Sequence, residues 1–418
     1  MTNTRQIAAV TAIAVCAAAA AGCASGTGPP RTGPARPPAV LTASQVAALR
    51  GFGSGDTTFG LNVLAALCAS QQRSNTVISP VSLATGLDMA YLGARGSTAA
   101  AIARVLHLPG DARGRAAAAF GARSALLRSL DRPGVTFAAS NRIWADPSLV
   151  TRRSFVAALR AADQARVTGL PLLSRPEQSR RRINASVAAS TRGHIKHLLP
   201  PGALSQPPTG WVLTGALYLN ARWQRPFNHA LTAGGSFRAA GGRVTASFMR
   251  GGAFPVTRAH GWTAVALPYK GGRLSMLAAL PPAGGTGCQV PDAATADALA
   301  SGLARSKTLT DVALPRVTMA SSESLKGVLT KLGMGVAFGD GADFSGLSPQ
   351  ACCIGFVQHA ATLAIAEKGT VASAATAVGM EPTAAHVVLS FDRPYLLMLR
   401  DARTGEPLMM AWVANPAS

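Results

Sequence analysis

The stretch A-E-K-G-T-V-A-S-A-A-T-A-V-G-M-E-P-T-A-A-H-V-V-L-S-F-D-R-P, Ala366 to Pro394, decides how the chain is read. From Gly369 to Ala377 it has no proline, charge or aromatic, and most of its side chains are Ala, Ser or Thr. A backbone with free donors and acceptors and nothing bulky along it can be taken up by a β-sheet as a strand. The stretch lies late in the chain, behind a long body of helix and strand patterns and ahead of a final apolar run, Tyr395 to Val413. It therefore reads as a segment presented by a folded body.

That body can bury a sizeable core, since 48% of the 418 residues are apolar, and it forms one large domain or two ordinary ones. The net charge of +22 comes mostly from scattered arginines, with a local cluster at Arg180, Arg181 and Arg182. A solvated basic face or a compositional habit is the first reading, and a polyanion partner the weaker one. No aromatics are interleaved with the arginines to stack bases, so nucleic acid is not an expected partner.

The N-terminus reads as an export signal, residues 1–22. Arg5 leads into an Ala-rich apolar run, Ile7 to Ala21, that is too short for a membrane span. Ala20-Ala21-Gly22-Cys23 resembles a bacterial lipobox, which would lipidate Cys23 and attach the chain to a membrane. Ala20 stands where a large aliphatic residue is usual, which leaves plain secretion as the alternative. Localisation is thus expected to be exported, as a cell-surface lipoprotein or an extracellular protein. Residues 23–44 are rich in Pro and Gly and read as a tether.

Of six cysteines, Cys16 and Cys23 belong to the signal. Cys68, Cys288 and the adjacent Cys352 and Cys353 remain. An exported chain permits disulfides, though neighbours rarely pair, and Cys68, on an apolar helical pattern, reads as a small buried thiol. No C-x-x-C is present, so neither a zinc site nor a redox motif is supported.

Helical spacing covers Gln45 to Leu49 and Thr58 to Ala69, with Asp56 as a plausible cap, then Val81 to Tyr91 and Gln178 to Leu199, the last with Ile183, Val187 and Ile195 inward. Phe137 to Ala145 alternates as a strand does, Val212 to Trp223 has the apolar run of a central strand, and Val312 to Met319 reads as another. Thr263 to Tyr269 and Leu274 to Leu280 flank a hairpin turn. Strand and helix signals mingle without strict alternation, so the fold class is α+β.

No catalytic constellation is present: no G-x-S-x-G, Walker loop or H-E-x-x-H occurs. His194 and His197 could share a helical face but lack further ligands, and His359, on an apolar run, reads as a core histidine. The chain is not expected to be an enzyme or to use a cofactor or metal.

The segments N-T-V-I-S-P-V-S-L (75–83), I-N-A-S-V-A-A-S-T-R-G-H-I (183–195), L-Y-L-N-A-R-W-Q-R-P-F (217–227), A-L-P-Y-K-G-G (266–272), V-A-L-P-R-V (312–317), A-E-K-G-T-V-A-S-A-A-T (366–376) and F-D-R-P-Y (391–395) resemble serpin segments and occur in serpin order. Together they identify the chain as similar to serpins from about Leu41 to Ala417, with a serpin domain over 45–418. The resemblance implies three β-sheets, eight or nine helices and an exposed reactive-centre loop at about 367–392. It also implies a target serine protease as covalent partner. The protease attacks the loop, and the cut loop inserts into the main sheet before deacylation. That mechanism is a property of the family, not a deduction from these residues.

Within the resemblance, Glu367, Gly369 and Thr370 match the loop hinge, followed by Ala372, Ala374, Ala375 and Thr376. Alternation would send Thr370, Ala372, Ala374 and Thr376 to the sheet's inner face. Val371 replaces a frequent Glu and favours a strand. The family register places the scissile bond at Thr383-Ala384, with attack after Met380 or Ala384 as alternative registers. No Lys or Arg lies between Gly369 and Asp392, so an elastase-like or subtilisin-like target is expected over a trypsin-like one. Trp223 matches the tryptophan where the loop enters the sheet. Ser79, Ser82 and His359 match a polar cluster under the sheet, whose usual asparagine is replaced by Gly215. The cluster then needs another partner, or the sheet opens readily and the chain, expected to be a monomer, polymerises on mild heating. The alternative to an inhibitor is a non-inhibitory or substrate-like serpin acting as a binding or carrier protein.

Overall fold

Strand β4, Trp211–Arg222, is buried along both faces, which is why its sequence is apolar almost without alternation. The computed structural model describes residues 40–108, 112–162, 167–204, 210–284, 287–355, 357–370 and 388–418. The expected signal with Cys23, and the loop positions Val371, Ala372, Ala374, Ala375, Thr376, Met380, Thr383 and Ala384, lie outside the described residues.

On one side of β4 lie β2 (Val135–Ala145) and β3 (Val167–Gly169), and on the other β12 (Gly369–Thr370), β11 (Val357–Ala366) and β10 (Val317–Ser324), completing a six-stranded sheet. A second path runs β1 (Thr76–Ile78), β15 (Pro407–Val413), β14 (Tyr395–Asp401), β8 (Leu274–Leu280), β7 (Trp262–Pro268), β6 (Gly242–Ala259), β9 (Leu309–Pro315) and β13 (Val388–Ser390), with β5 (Asn228–Ala239) also on β6. β6 pairs with β7 near its end and with β5 and β9 earlier, shifting register against β9 between Gly251 and Phe254. Two of the three expected sheets are therefore joined through β6.

Eight α-helices occur among the described residues: α1 (Ala43–Ser70), α2 (Pro80–Gly93), α3 (Gly96–Val105), α4 (Ala112–Leu130), α5 (Arg153–Ala161), α6 (Pro176–Ser190), α7 (Ala293–Arg305) and α8 (Lys326–Leu329). α2 is capped by the Ser79 hydroxyl, which accepts from the Ser82 N–H, with Pro80 opening the helix.

Four local expectations are corrected. Asp56 caps nothing: α1 runs unbroken through it from a capping box of Thr42 and Gln45. α6 stops at Ser190, so Ile195 is buried from the following loop and not from a helix face. The single strand expected over 312–319 is two strands in different sheets, divided at Arg316. Cys68 is no free thiol, because it is bonded to Cys288, 220 residues away. Spacing could not show that pairing, since only the docking of the loop before α7 against α1 brings the sulfurs together. Cys352 and Cys353 are free.

Asp56 belongs to a buried ionic cluster. The Arg123 guanidinium of α4, 1% exposed, pairs with Asp56 of α1 at 2.5 Å, Glu406 ahead of β15 at 3.3 Å, and Asp88 of α2. One cation faces three carboxylates. Burial pushes the Glu406 carboxyl up, repulsion from Asp56 adds to the rise, and attraction to Arg123 only partly opposes it, so the carboxyl is held well above the ordinary range. A carboxyl raised on folding contributes its full stability below its unfolded pKa and loses it as pH rises through the folded value. Wild-type stability against urea should therefore decline as pH rises above the ordinary carboxyl range, and Glu406→Gln should flatten that decline. Arg123→Met should cost about 3–5 kcal/mol at neutral pH, since it leaves buried carboxylates without their cation.

Candidate functional site, a sheet parted at one end

The six-stranded sheet is closed at one end and parted at the other. β11 pairs in parallel with β4 from Val357↔Leu213 to Ala361↔Leu217. Beyond that point β12 stands between them, antiparallel to both, with Thr370 opposite Ile365 and Ala221, and Gly369 opposite Ala366 and Arg222. The head of the quoted stretch is thus already a strand of this sheet.

Gly369 has φ +150, and a Cβ there would run into the Ala221 carbonyl, so only glycine fits the turn between β11 and β12. Thr370 is fully buried, its hydroxyl 2.5 Å from the Tyr269 hydroxyl, on the core-facing side where alternation puts it. Burial pushes the Tyr269 phenol above its ordinary range, so it stays a neutral hydrogen-bonding partner. Trp223 packs on Tyr269 with ring centroids 4.3 Å apart. Its indole N–H donates to the Ala366 carbonyl at 2.9 Å, its backbone N–H to Lys368 at 2.9 Å, and the Phe227 N–H to the Glu367 carbonyl at 2.9 Å. The Glu367 carboxylate is gripped by Arg316, whose Nε donates at 2.8 Å, and by the Thr232 hydroxyl at 2.7 Å. Burial opposes its ionisation, but these two bonds outweigh burial and hold the carboxyl below the ordinary range. Trp223, Glu367, Gly369 and Thr370 therefore meet, joined by Tyr269, Thr232 and Arg316. None of the last three carries a local sequence signal, because each comes from a distant turn or strand.

A second group lies under the closed end. Asn141 of β2, Gly215 of β4 and His359 of β11 are register partners across three strands. All three fall on the core-facing parity, between apolar neighbours such as Ile143, Leu213, Leu217 and Ala361. The row faces the start of α2. The Ser79 N–H donates to His359 Nε2 at 2.9 Å, and the Ser79 hydroxyl donates to the Leu408 carbonyl at 2.8 Å. The Ser82 hydroxyl donates to Asn141 Oδ1 at 2.7 Å. A Cβ at Gly215 would lie 3.0 Å from the Ser82 hydroxyl oxygen and 3.4 Å from Asn141 Oδ1.

Asn141 is thus the partner that the replacement of asparagine by Gly215 demanded, supplied from the adjoining strand. The cluster is thereby filled at Ser82, while His359 Nδ1 keeps no side-chain partner. The signal was available: a lone amide on the core-facing parity of a strand needs a partner.

His359 is fully buried. Desolvation lowers its pKa to about 4, opposed by a hydrogen bond with the Gly215 backbone. The neutral ring accepts at Nε2, and protonation would turn that acceptor into a donor facing the Ser79 N–H. A base lowered on folding costs stability as pH falls from its unfolded value of 6.5 toward 4. The loss should reach about 3 kcal/mol. His359→Gln should remove most of that acid dependence. Asn141→Ala should leave the Ser82 hydroxyl unpaired, destabilise by about 1–3 kcal/mol, and lower the temperature at which light scattering reports polymers.

Comparison with known proteins places this architecture. The family profile described as serpin (serine protease inhibitor) matches residues 54–416. An uncharacterised serpin-like protein of Thermococcus kodakarensis is 33% identical over 353 residues, covering 82% of this chain and 81% of that protein. The crystal structure of Serpin48, a highly specific serpin in the insect Tenebrio molitor, is similar with a TM-score of 0.72 at 27% identity, covering 87% of this chain and 98% of its own. Human thyroxine-binding globulin in complex with thyroxine shares the fold, with a TM-score of 0.76 at 22% identity, covering 88% of this chain and 99% of its own.

Proposed function

The chain belongs to the serpin family, and from that premise we propose that it inhibits a serine endopeptidase of elastase-like or subtilisin-like preference by insertion of its cleaved loop. The observation that supports this reading is β12, whose two residues already pair with β11 and β4. The protease serine attacks the Thr383 carbonyl, the Thr383-Ala384 bond breaks with Ala384 leaving as a new amine, and an ester joins protease to loop. Val371 to Thr383 then extends β12, about 3.4 Å per residue, so the ester travels about 40 Å. Ala372, Ala374 and Thr376 take the inner-face positions that continue from Thr370, and their small side chains fit a closely packed core. Ala375 takes the opposite face.

In this reading Glu367, Gly369 and Trp223 form the fixed pivot of the hinge. Ser79, Ser82, His359 and Gly215 lie beneath the line along which the sheet parts. The likeness to thyroxine-binding globulin is one of fold alone, and the small-residue composition after Thr370 favours an inhibitor over a carrier or a mere substrate. Export, with lipid on Cys23 or plain secretion, is also proposed. It is supported by the Cys68–Cys288 disulfide, since such bonds persist in oxidising compartments.

Incubation with an elastase, a subtilisin, a chymotrypsin and a trypsin, followed by denaturing gels, should give a covalent complex with one of the first two and none with trypsin. Mass spectrometry of the released peptide should begin at Ala384. Thr370→Arg should convert the protein from inhibitor to substrate, cleaved without complex, because a guanidinium cannot be buried against Tyr269 without a partner. Cleavage of the wild-type chain without any complex would overturn the proposal.

A further inference from the structure

Cys352 and Cys353 are the free thiols among the described residues, and they stand side by side on the approach to β11. The Cys352 thiol is exposed, the Cys353 thiol is half-buried, and the two sulfurs are 3.0 Å apart. The backbone is pinned on both sides. Before the pair, the Ala351 N–H donates to the Ser348 carbonyl at 3.3 Å. After it, the Ile354 N–H donates to the Ala337 carbonyl at 2.9 Å, and the Ile354 side chain is buried. A short span between two fixed points thus keeps the sulfurs in contact.

A bond between these neighbours would differ in kind from Cys68–Cys288, whose Cα atoms are 5.7 Å apart. A trans peptide holds adjacent Cα atoms about 3.8 Å apart, inside the roughly 4.4 Å at which relaxed disulfides begin. The neighbour bond is therefore strained. Strained, exposed disulfides open by exchange where relaxed ones persist, so this pair is suited to cycling and not to stapling. The two sulfurs also differ in access. Cys352 is the one that an outside reagent reaches first. Burial pushes the Cys353 thiol up to about 11, with Cys352 and Asp340 adding to the rise and Lys326 opposing it.

We propose that Cys352 and Cys353 form a redox-active dithiol that exchanges with low-mass disulfides of the glutathione type. Cys352 loses its proton to solvent, and its thiolate attacks one sulfur of the low-mass disulfide. That S–S bond breaks, and the first small thiolate leaves and takes up a proton. Cys353 then gives up its proton and attacks Cys352 Sγ. The mixed disulfide breaks, the second small thiolate leaves and is protonated, and an eight-membered ring closes. The protein pair is oxidised by two electrons, and the low-mass disulfide is reduced to two thiols. Because Cys353 ionises reluctantly, ring closure is the slower step and the mixed disulfide accumulates before it disappears.

The full chain can be incubated with oxidised glutathione, quenched by acid and digested with trypsin. Peptide 332–368 carries both cysteines and no other. Mass spectrometry should show its glutathione adduct rise and then fall as a species two hydrogens lighter than the dithiol takes over. Cys353→Ser should stop at the adduct, and Cys352→Ser should react about tenfold more slowly than wild type. Reduced glutathione should reopen the ring while Cys68–Cys288 stays closed. No reaction of the wild-type chain, or an adduct as lasting there as in Cys353→Ser, overturns the dithiol. Equal rates in wild type and Cys352→Ser overturn the order of attack, and a ring as resistant as Cys68–Cys288 overturns the cycling. No readout uses a protease, so the outcome is independent of whether the chain inhibits one.

Discussion

The parallel ladder between β11 and β4 is the interaction on which the rest of this structure depends. Its five register pairs, Val357–Ala361 with Leu213–Leu217, hold the middle of the sheet together. Parallel pairing is slightly less stable per residue than antiparallel pairing. A strand entering between the two would replace one parallel ladder by two antiparallel ones, as β12 already does at the far end. Each added backbone bond contributes about 0.5–1.5 kcal/mol net, so a strand of a dozen residues represents a large store of free energy.

The hinge and the cluster beneath the sheet divide the work. Glu367, held by Arg316 and Thr232, and Trp223, bonded to Ala366 and Lys368, fix where a strand can begin. The row Asn141, Gly215 and His359 ties the sheet to the first turn of α2, and its bonds are arranged asymmetrically. Ser82 is held on the β2 side through Asn141, while Ser79 is held on the β11 side through His359. Neither side-chain bond joins β11 to β4. Parting those two strands therefore breaks their backbone ladder and the contact of the His359 ring with the Gly215 backbone, while each flank keeps its own contact with α2.

Further from the sheet, the structure carries charge where solvent cannot screen it. Arg123 gathers carboxylates from α1, α2 and the approach to β15, so three elements distant in sequence are bound by one guanidinium. Excess negative charge there is relieved by keeping the Glu406 proton. The Cys68–Cys288 bond adds a covalent tie between α1 and the approach to α7. These ties stiffen the body that carries the sheet.

Much of the fold was legible in the chain itself, for local reasons. Period-two and period-3.6 patterns mark β2, β4, the β7–β8 hairpin and α2, and Ser79-Pro80 marks where α2 begins. The small side chains from Gly369 to Ala377 mark a segment able to join a sheet, and Gly369 marks its turn. Local patterns could not show that Asp56 is an ion-pair partner, because its cation lies 67 residues away. Nor could they show that Val312 to Met319 divides at Arg316 between two sheets, or that Cys68 finds Cys288. The sequence by itself determined most of the strands and helices, and marked one run of small side chains after Gly369, since those follow from side-chain periodicity and size. Only the tertiary structure decided that Asn141 stands in for the amide absent at Gly215, that Tyr269 receives Thr370, and that the hinge is already a strand. Each of these depends on residues brought opposite one another by sheet register, a relation between distant segments that no local pattern contains.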